Sequence, residues 1–262
     1  MSRGVLYTVT ENEQTDIEKR FDIEAMREWA TNGFNKALQA QQPIALNMVS
    51  RLRRVHPEKT PAQLIKFLNK TYLGTVTASG TGAGMAAVVP NGAVQVPVAI
   101  ADLAAFLESS VLYVLAVAEI YGVNVEDFER RRFLVMTALL GNSGTATVTQ
   151  SLGKKTIPYW SKTIINAIPM DAIKAANKVL GPRFVTKYGA KQGVLVLGKQ
   201  LPLALGAAVG AGGNATFGYL VVRSTRQLLS DPPENWDHLD IEEPQIIEAE
   251  VIVDLPIDLD SE

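Results

Sequence analysis

The chain has 262 residues, 47% of them hydrophobic, a formal net charge of −2 and no cysteine. That length and apolar content suit one good core or two small ones and exclude a wholly disordered chain. The missing thiol excludes disulfides, thiolate catalysis and cysteine-ligated zinc.

The small net charge conceals a division. Residues 231–262 hold twelve of the 27 acids and no lysine or arginine, which leaves 25 bases against 15 acids in residues 1–230, a net of +10. The sequence therefore reads as a flexible lead-in over 1–14, a basic body over 15–230 and an acidic, mostly disordered tail over 231–262. The lead-in has no apolar run of the signal-peptide kind, so a cytoplasmic protein is expected.

Along the body, Thr15-Asp16-Ile17-Glu18 has the form of a capping box, followed by an apolar stripe of Ile17, Phe21, Ala25 and Trp29. Pro43 is expected to open a second helix, with Ile44, Met48, Leu52 and Val55 on one face and Arg51, Arg53 and Arg54 on the other. Thr60-Pro61-Ala62-Gln63 is a second capping box with proline at the first helical position.

Residues 71–101 carry no charged side chain, and only Asp102 and Glu108 follow before Ala118. This stretch reads as a Gly-rich apolar helical hairpin: glycines at 74, 80, 82 and 84, bends at Pro90-Asn91-Gly92 and Pro97, then an apolar helix stopping at Gly122. Asn124 is expected to cap the next helix, with Glu126 and Asp127 in its first turn. Gly141 to Gly144 should break the uncharged run 133–153. Between Lys154 and Lys199 nine bases face the single acid Asp171, and Pro158, Pro169, Gly181-Pro182 and Gly189 predict short helices. The last apolar element, 201–222, repeats Gly206, Gly210, Asn214 and Gly218 every four residues, a ridge that lets helices approach closely. The apolar segments have two readings, close-packed core helices of a soluble bundle or an element that enters or rests in a membrane.

Chemistry is sparse. Asp102 and Glu108 are about 240° apart around a helix, so they form no carboxylate pair on one face. Asp102 is expected to be structural, paired with a base from another helix. His56 and His238 lie in no metal-ligand or nucleophile-elbow spacing. Gly153-Lys154-Lys155 lacks the P-loop hydroxyl, and Gly80-Thr81-Gly82-Ala83-Gly84 lacks dinucleotide spacing, so no cofactor is predicted. No reading helix or aromatic platform predicts sequence-specific nucleic-acid binding. The candidate contacts for an anionic surface are Arg51, Arg53, Arg54, Lys154, Lys155, Lys174, Lys178, Lys187 and Lys191. The acidic tail is a candidate to bind this basic face, or a basic partner.

Two stretches resemble the EcsC family of bacterial proteins: Pro97-Val-Ala-Ile-Ala-Asp102-Leu with the helix closing at Ala118-Glu-Ile-Tyr121-Gly122, and Leu201-Pro202 followed by Gly206, Gly210 and Asn214. The resemblance covers roughly 60–230. It implies an all-helical fold and no assigned chemistry, and it singles out Pro97, Asp102, Tyr121, Gly122, Pro202, Gly206, Gly210 and Asn214 as packing positions. The resulting expectation is an all-α, single-domain, non-enzymatic protein. It would sit peripherally on the cytoplasmic membrane face, or on a membrane protein, through apolar helices and a basic surface. The alternative is a soluble helical protein that binds lipid or another apolar ligand in an internal cavity.

Overall fold

The computed structural model describes residues 11–86, 92–152, 166, 168–198 and 203–240, with side chains at 31–80, 101–146, 148, 166, 168–188, 212–237 and 239. Among these residues the protein is all-α. Helix α1 spans Glu11–Val55, α2 Pro61–Ala86, α3 Gly92–Ile120, α4 Phe128–Leu140, α5 Asn142–Leu152, α6 Met170–Gly198, α7 Leu203–Leu229 and the short α8 Asp237–Asp240.

Local chemistry sets several boundaries. At the start of α2 the Thr60 N–H donates to Gln63 Oε1 (3.0 Å) and the Gln63 N–H to Thr60 Oγ1 (3.4 Å), the reciprocal pairing of a capping box. At the end of α3, Gly122 adopts φ +66°, which a side chain would strain. Its N–H donates to the Glu119 carbonyl (2.9 Å) and the Val123 N–H to that of Ala118 (3.0 Å), a Schellman closure over the buried Val123. Helix α4 is capped by Asp127, whose carboxylate accepts the Arg130 N–H at 2.9 Å. Asn124 instead makes a turn, accepting the Glu126 N–H at 3.0 Å, so the expected cap lies three residues early. Gly141, also at φ +66°, separates α4 from α5 as anticipated.

Three expected boundaries are displaced or absent. Helix α1 begins at Glu11, ahead of the Thr15 box, and runs 45 residues straight through Pro43. The reason is tertiary: buried Phe34, Ala37 and Leu38 before the proline and Ala45 and Val49 after it form one stripe against α3 and α6. Burial on both sides outweighs the one backbone bond that proline removes. Helix α6 likewise passes through Pro182, because Ile173, Ala176, Leu180, Phe184 and Tyr188 continue a single buried stripe. The bend at Pro90-Asn91, the segment 153–165 and the acidic tail beyond 240 fall outside the described residues.

Helix α3 is the core. Leu103, Phe106, Leu107, Val111, Val114, Leu115 and Ile120 are all buried, and Phe106 meets Tyr188 of α6 and Phe217 of α7. Segment 101–120 is long and apolar enough to cross a membrane, and most of it is buried inside the fold. A chain of hydroxyls ties it to α2. Ser110 donates to the Phe106 carbonyl (2.6 Å), which makes Tyr72 the donor to Ser110 at 2.7 Å. Tyr113 stacks on Tyr72 at 4.5 Å and donates to Asn69 (2.7 Å). Burial pushes the Tyr72, Tyr113 and Tyr188 phenols well above their ordinary range.

The most extensive packing is that of α2 on α7. Here the Gly ridge acts as its spacing suggests: a Cβ on Gly218 would sit 2.7 Å from Val76 Cγ2 and 3.3 Å from Leu73 Cδ2. Valine is stiff at χ1, so it yields little. Gly218→Ala should lose about 1–3 kcal/mol of stability to overpacking. Gly212→Ala, which meets nothing within 4 Å, should gain about 0.5–1 kcal/mol from helix propensity. Denaturant midpoints of the two variants measure both, and equal shifts would mean that α7 does not lie this close to α2.

The start of the acidic segment departs from the expected disorder. The Tyr121 hydroxyl donates to the Ser230 carbonyl (2.8 Å), and Trp236 Nε1 donates to that of Lys59 (2.9 Å). The Arg53 guanidinium lies 4.7 Å from the Trp236 ring centroid. Burial, then Asp231, pushes the Tyr121 phenol up to about 12. A half-buried aromatic anchor of this kind holds the chain at Trp236 on the body despite the acidic composition around it.

Candidate functional site

Helices α1, α4 and α6 border an open cavity of about 770 Å³. On α4, Glu129, Arg132 and Met136 recur at three- and four-residue spacing, so they share a face. On α6, Lys174, Asn177, Lys178, Gly181 and Val185 do the same, and α1 adds Thr31, Phe34 and Asn35. The floor is apolar, built on the Phe34 and Phe184 rings at 4.3 Å with Met136 and Val185 beside them. The rim is cationic, with Lys174 and Lys178 exposed. Gly181 faces Arg132: a Cβ there would lie 3.6 Å from Nη2, an ordinary contact. The volume falls in the range that small-molecule sites occupy.

The wall holds unmet hydrogen-bonding capacity. Asn177, 4% exposed, turns its Nδ2 to the Glu129 carbonyl (2.9 Å) and to Glu129 Oε2 (2.6 Å). Those two acceptors fix the amide orientation and leave the buried Oδ1 as the group without a partner. Among the described residues three buried side-chain polar atoms lack a partner: Asn177 Oδ1, Asn35 Oδ1 and Arg132 Nε. All three belong to residues that line this one cavity. Each such atom costs about 1–3 kcal/mol if left unmet, so each calls for a partner, from water or from a bound molecule. The lining groups offer hydrogen bonds, positive charge and apolar surface. Among the described residues no cluster of three or more His, Asp or Glu forms a metal site.

The three adjacent arginines at the start of α4 illustrate how helical geometry separates roles. Successive residues point about 100° apart. Arg130 Nη2 donates to the Ile168 carbonyl (3.3 Å), while Arg132 lines the cavity. Arg131, 7% exposed, turns inward and donates to the carbonyls of Val125 (3.0 Å), Leu38 (2.8 Å) and Glu126 (2.9 Å). Burial lowers its pKa, with Asp127 opposing the shift.

The residues singled out from sequence scatter. Asp102 and Asn214 do meet, Asn214 Nδ2 donating to Asp102 Oδ1 at 2.9 Å in a buried link between α3 and α7. The Asp102 partner is thus an amide and not the anticipated base. Tyr121 and Gly122 close α3, as described. Pro97 lies in α3 and Gly206 and Gly210 in α7, and Pro202 is outside the described residues. Arg51 and Arg54 are exposed on α1, whereas Arg53 is covered by Trp236. Lys187 is no surface contact: its Nζ donates to the Leu139 (2.7 Å) and Leu140 (3.3 Å) carbonyls at the α4 C-terminus. Burial lowers its pKa. Lys191 lies in α6, and Lys154 and Lys155 fall outside the described residues.

Of the sequence candidates, then, only Lys174 and Lys178 border the cavity. Asn35, Glu129, Arg132 and Asn177 were not anticipated. The one available signal was Asn177, a polar residue set among Ile173, Ala176, Leu180 and Phe184. Compared with protein-family models, curated proteins and solved structures, the chain matches none.

Proposed function

We propose that this is a non-enzymatic, all-helical binding protein of EcsC-like character, and that its cavity between α1, α4 and α6 takes an amphiphilic anion of the lipid class. One observation carries the reading: a cavity of about 770 Å³ whose aromatic floor adjoins Arg132, Lys174 and Lys178. Apolar chains gain from burial on Phe34, Met136 and Phe184, while the cationic side favours a negative headgroup. The test is titration with a fluorescent long-chain fatty acid. Saturable binding is expected, weakened at least about tenfold in Lys174→Glu/Lys178→Glu, a change on exposed side chains. A neutral amphiphile of equal chain length should bind both proteins alike. Absence of saturable binding, or equal affinity of the charge-reversed protein for the fatty acid, would overturn the reading.

A second reading, peripheral attachment to the cytoplasmic face of the membrane or to a membrane protein, is favoured by the exposed Arg51, Arg54, Lys174 and Lys178. Each base near an anionic bilayer contributes about 1 kcal/mol, in competition with the acidic segment for the same face. The two readings are compatible, since a cationic rim that holds a headgroup also faces a bilayer that supplies one.

A further inference from the structure

Resting on the amphiphile reading, we infer that the cavity selects a headgroup that is both an oxyanion and a hydroxyl donor, of the kind a glycerol phosphodiester presents. Charge is the first constraint. Arg132, Lys174 and Lys178 face the single carboxylate of Glu129, a net of +2 at the cavity, and that carboxylate is already engaged by Asn177 at 2.6 Å. An anion is favoured there.

The unmet atoms supply the second constraint, because they are of two kinds. Arg132 Nε is a donor and needs an acceptor, which any oxyanion provides. Asn177 Oδ1 and Asn35 Oδ1 are acceptors and need donors. The Asn177 oxygen cannot be exchanged for its amino group, since Nδ2 is held by two Glu129 oxygens. A bare carboxylate or sulfonate offers no hydrogen to donate, so it leaves both amide oxygens unmet. A quaternary ammonium has none either and is opposed by the surrounding charge. A hydroxyl beside a phosphate meets both kinds at once. Asn177 lies in the wall, so the headgroup reaches its oxygen as the half-buried Asn35 and Arg132 side chains adjust.

The experiment compares short-chain soluble lipids with identical acyl chains: a phosphatidylglycerol, a phosphatidylmethanol of equal charge without hydroxyls, and glycerol phosphate without chains. Calorimetric titration of the full chain should show the glycerol lipid binding at least about tenfold tighter than the methyl lipid, from the unpaired groups that the latter leaves. In Asn177→Leu the ratio of the two affinities should fall toward unity. Asn35→Leu, at a half-buried position, provides the same readout if the first variant folds poorly. Equal affinity of the two lipids for the unaltered protein overturns the headgroup inference and leaves the amphiphile reading standing, as does satisfaction of the wall by water alone. Glycerol phosphate binding as tightly as the lipid upholds the headgroup and overturns the amphiphile reading. Failure of both lipids and of the fatty acid to bind overturns both.

Discussion

Arg131→Met should destabilise the protein by about 3–5 kcal/mol, visible as a fall of about 1–2 M in the urea midpoint. Methionine fills much of the same volume, so the loss is one of hydrogen bonds and not of packing. It strips donors from three carbonyls at once: Val125 and Glu126 in the approach to α4, and Leu38 inside α1. Hydrogen bonds from a charged donor contribute about 1.5–3 kcal/mol each, and an unmet buried carbonyl is itself costly. The Leu38 contact has added weight. It ties α4 to α1 beside the turn where Pro43 has no N–H to offer the Gln39 carbonyl, the Arg131 guanidinium reaching the adjoining Leu38 carbonyl from another helix 93 residues away. Arg131→Lys should recover less than half of the loss, because a compact ammonium lacks the wide guanidinium fork that reaches three separate acceptors. The exposed Arg54→Met serves as control and should change stability by less than about 0.5 kcal/mol. A loss under about 1 kcal/mol for Arg131→Met would show that water reaches those carbonyls and that α4 is not anchored this way. The cavity depends on that anchor, since Glu129, Arg132 and Met136 ride on the same first turns of α4.

What could be read in the sequence was governed by the range of the interactions involved. The Thr60–Gln63 box, the Gly122 and Gly141 stops and the Gly ridge through Gly218 were legible because each is settled by a few neighbouring residues or by one repeat. Pro43 and Pro182 misled for the opposite reason. Local propensity says break, but the buried stripes of α1 and α6 continue through both prolines, and packing decides. Trp236 misled in the same manner, as one aromatic anchor outweighs the acidic composition around it. The cavity was the least legible feature. Its wall comes from segments near 31–35, 129–136 and 174–186, and the lack of a partner for Asn35 Oδ1, Arg132 Nε and Asn177 Oδ1 is a property of the assembled helices alone. Lys174 and Lys178 were noted for their charge, which is visible in sequence, and their placement beside an aromatic floor is not.

Asn214→Leu should cost about 2–4 kcal/mol, and adding Asp102→Leu should return most of it. The single change leaves the Asp102 carboxylate, 5% exposed, without the Nδ2 donor at 2.9 Å, among the apolar side chains of α3. A buried charge deprived of its hydrogen bond is expensive, whereas two leucines in place of the pair bury apolar surface against each other. A double-mutant cycle by urea unfolding should therefore give a strong favourable coupling between the two replacements. The same proteins separate structure from function. Asp102 and Asn214 are not among the cavity residues, so the double variant should bind the fluorescent fatty acid with unchanged affinity. Loss of binding in a well-folded double variant would assign the pair a role that packing does not explain. Full recovery of stability together with intact binding would make it a clamp between α3 and α7. Such a clamp also bears on the membrane: the apolar segment 101–120 could leave the core only by carrying Asp102 away from Asn214, at the full cost of an unpaired carboxylate.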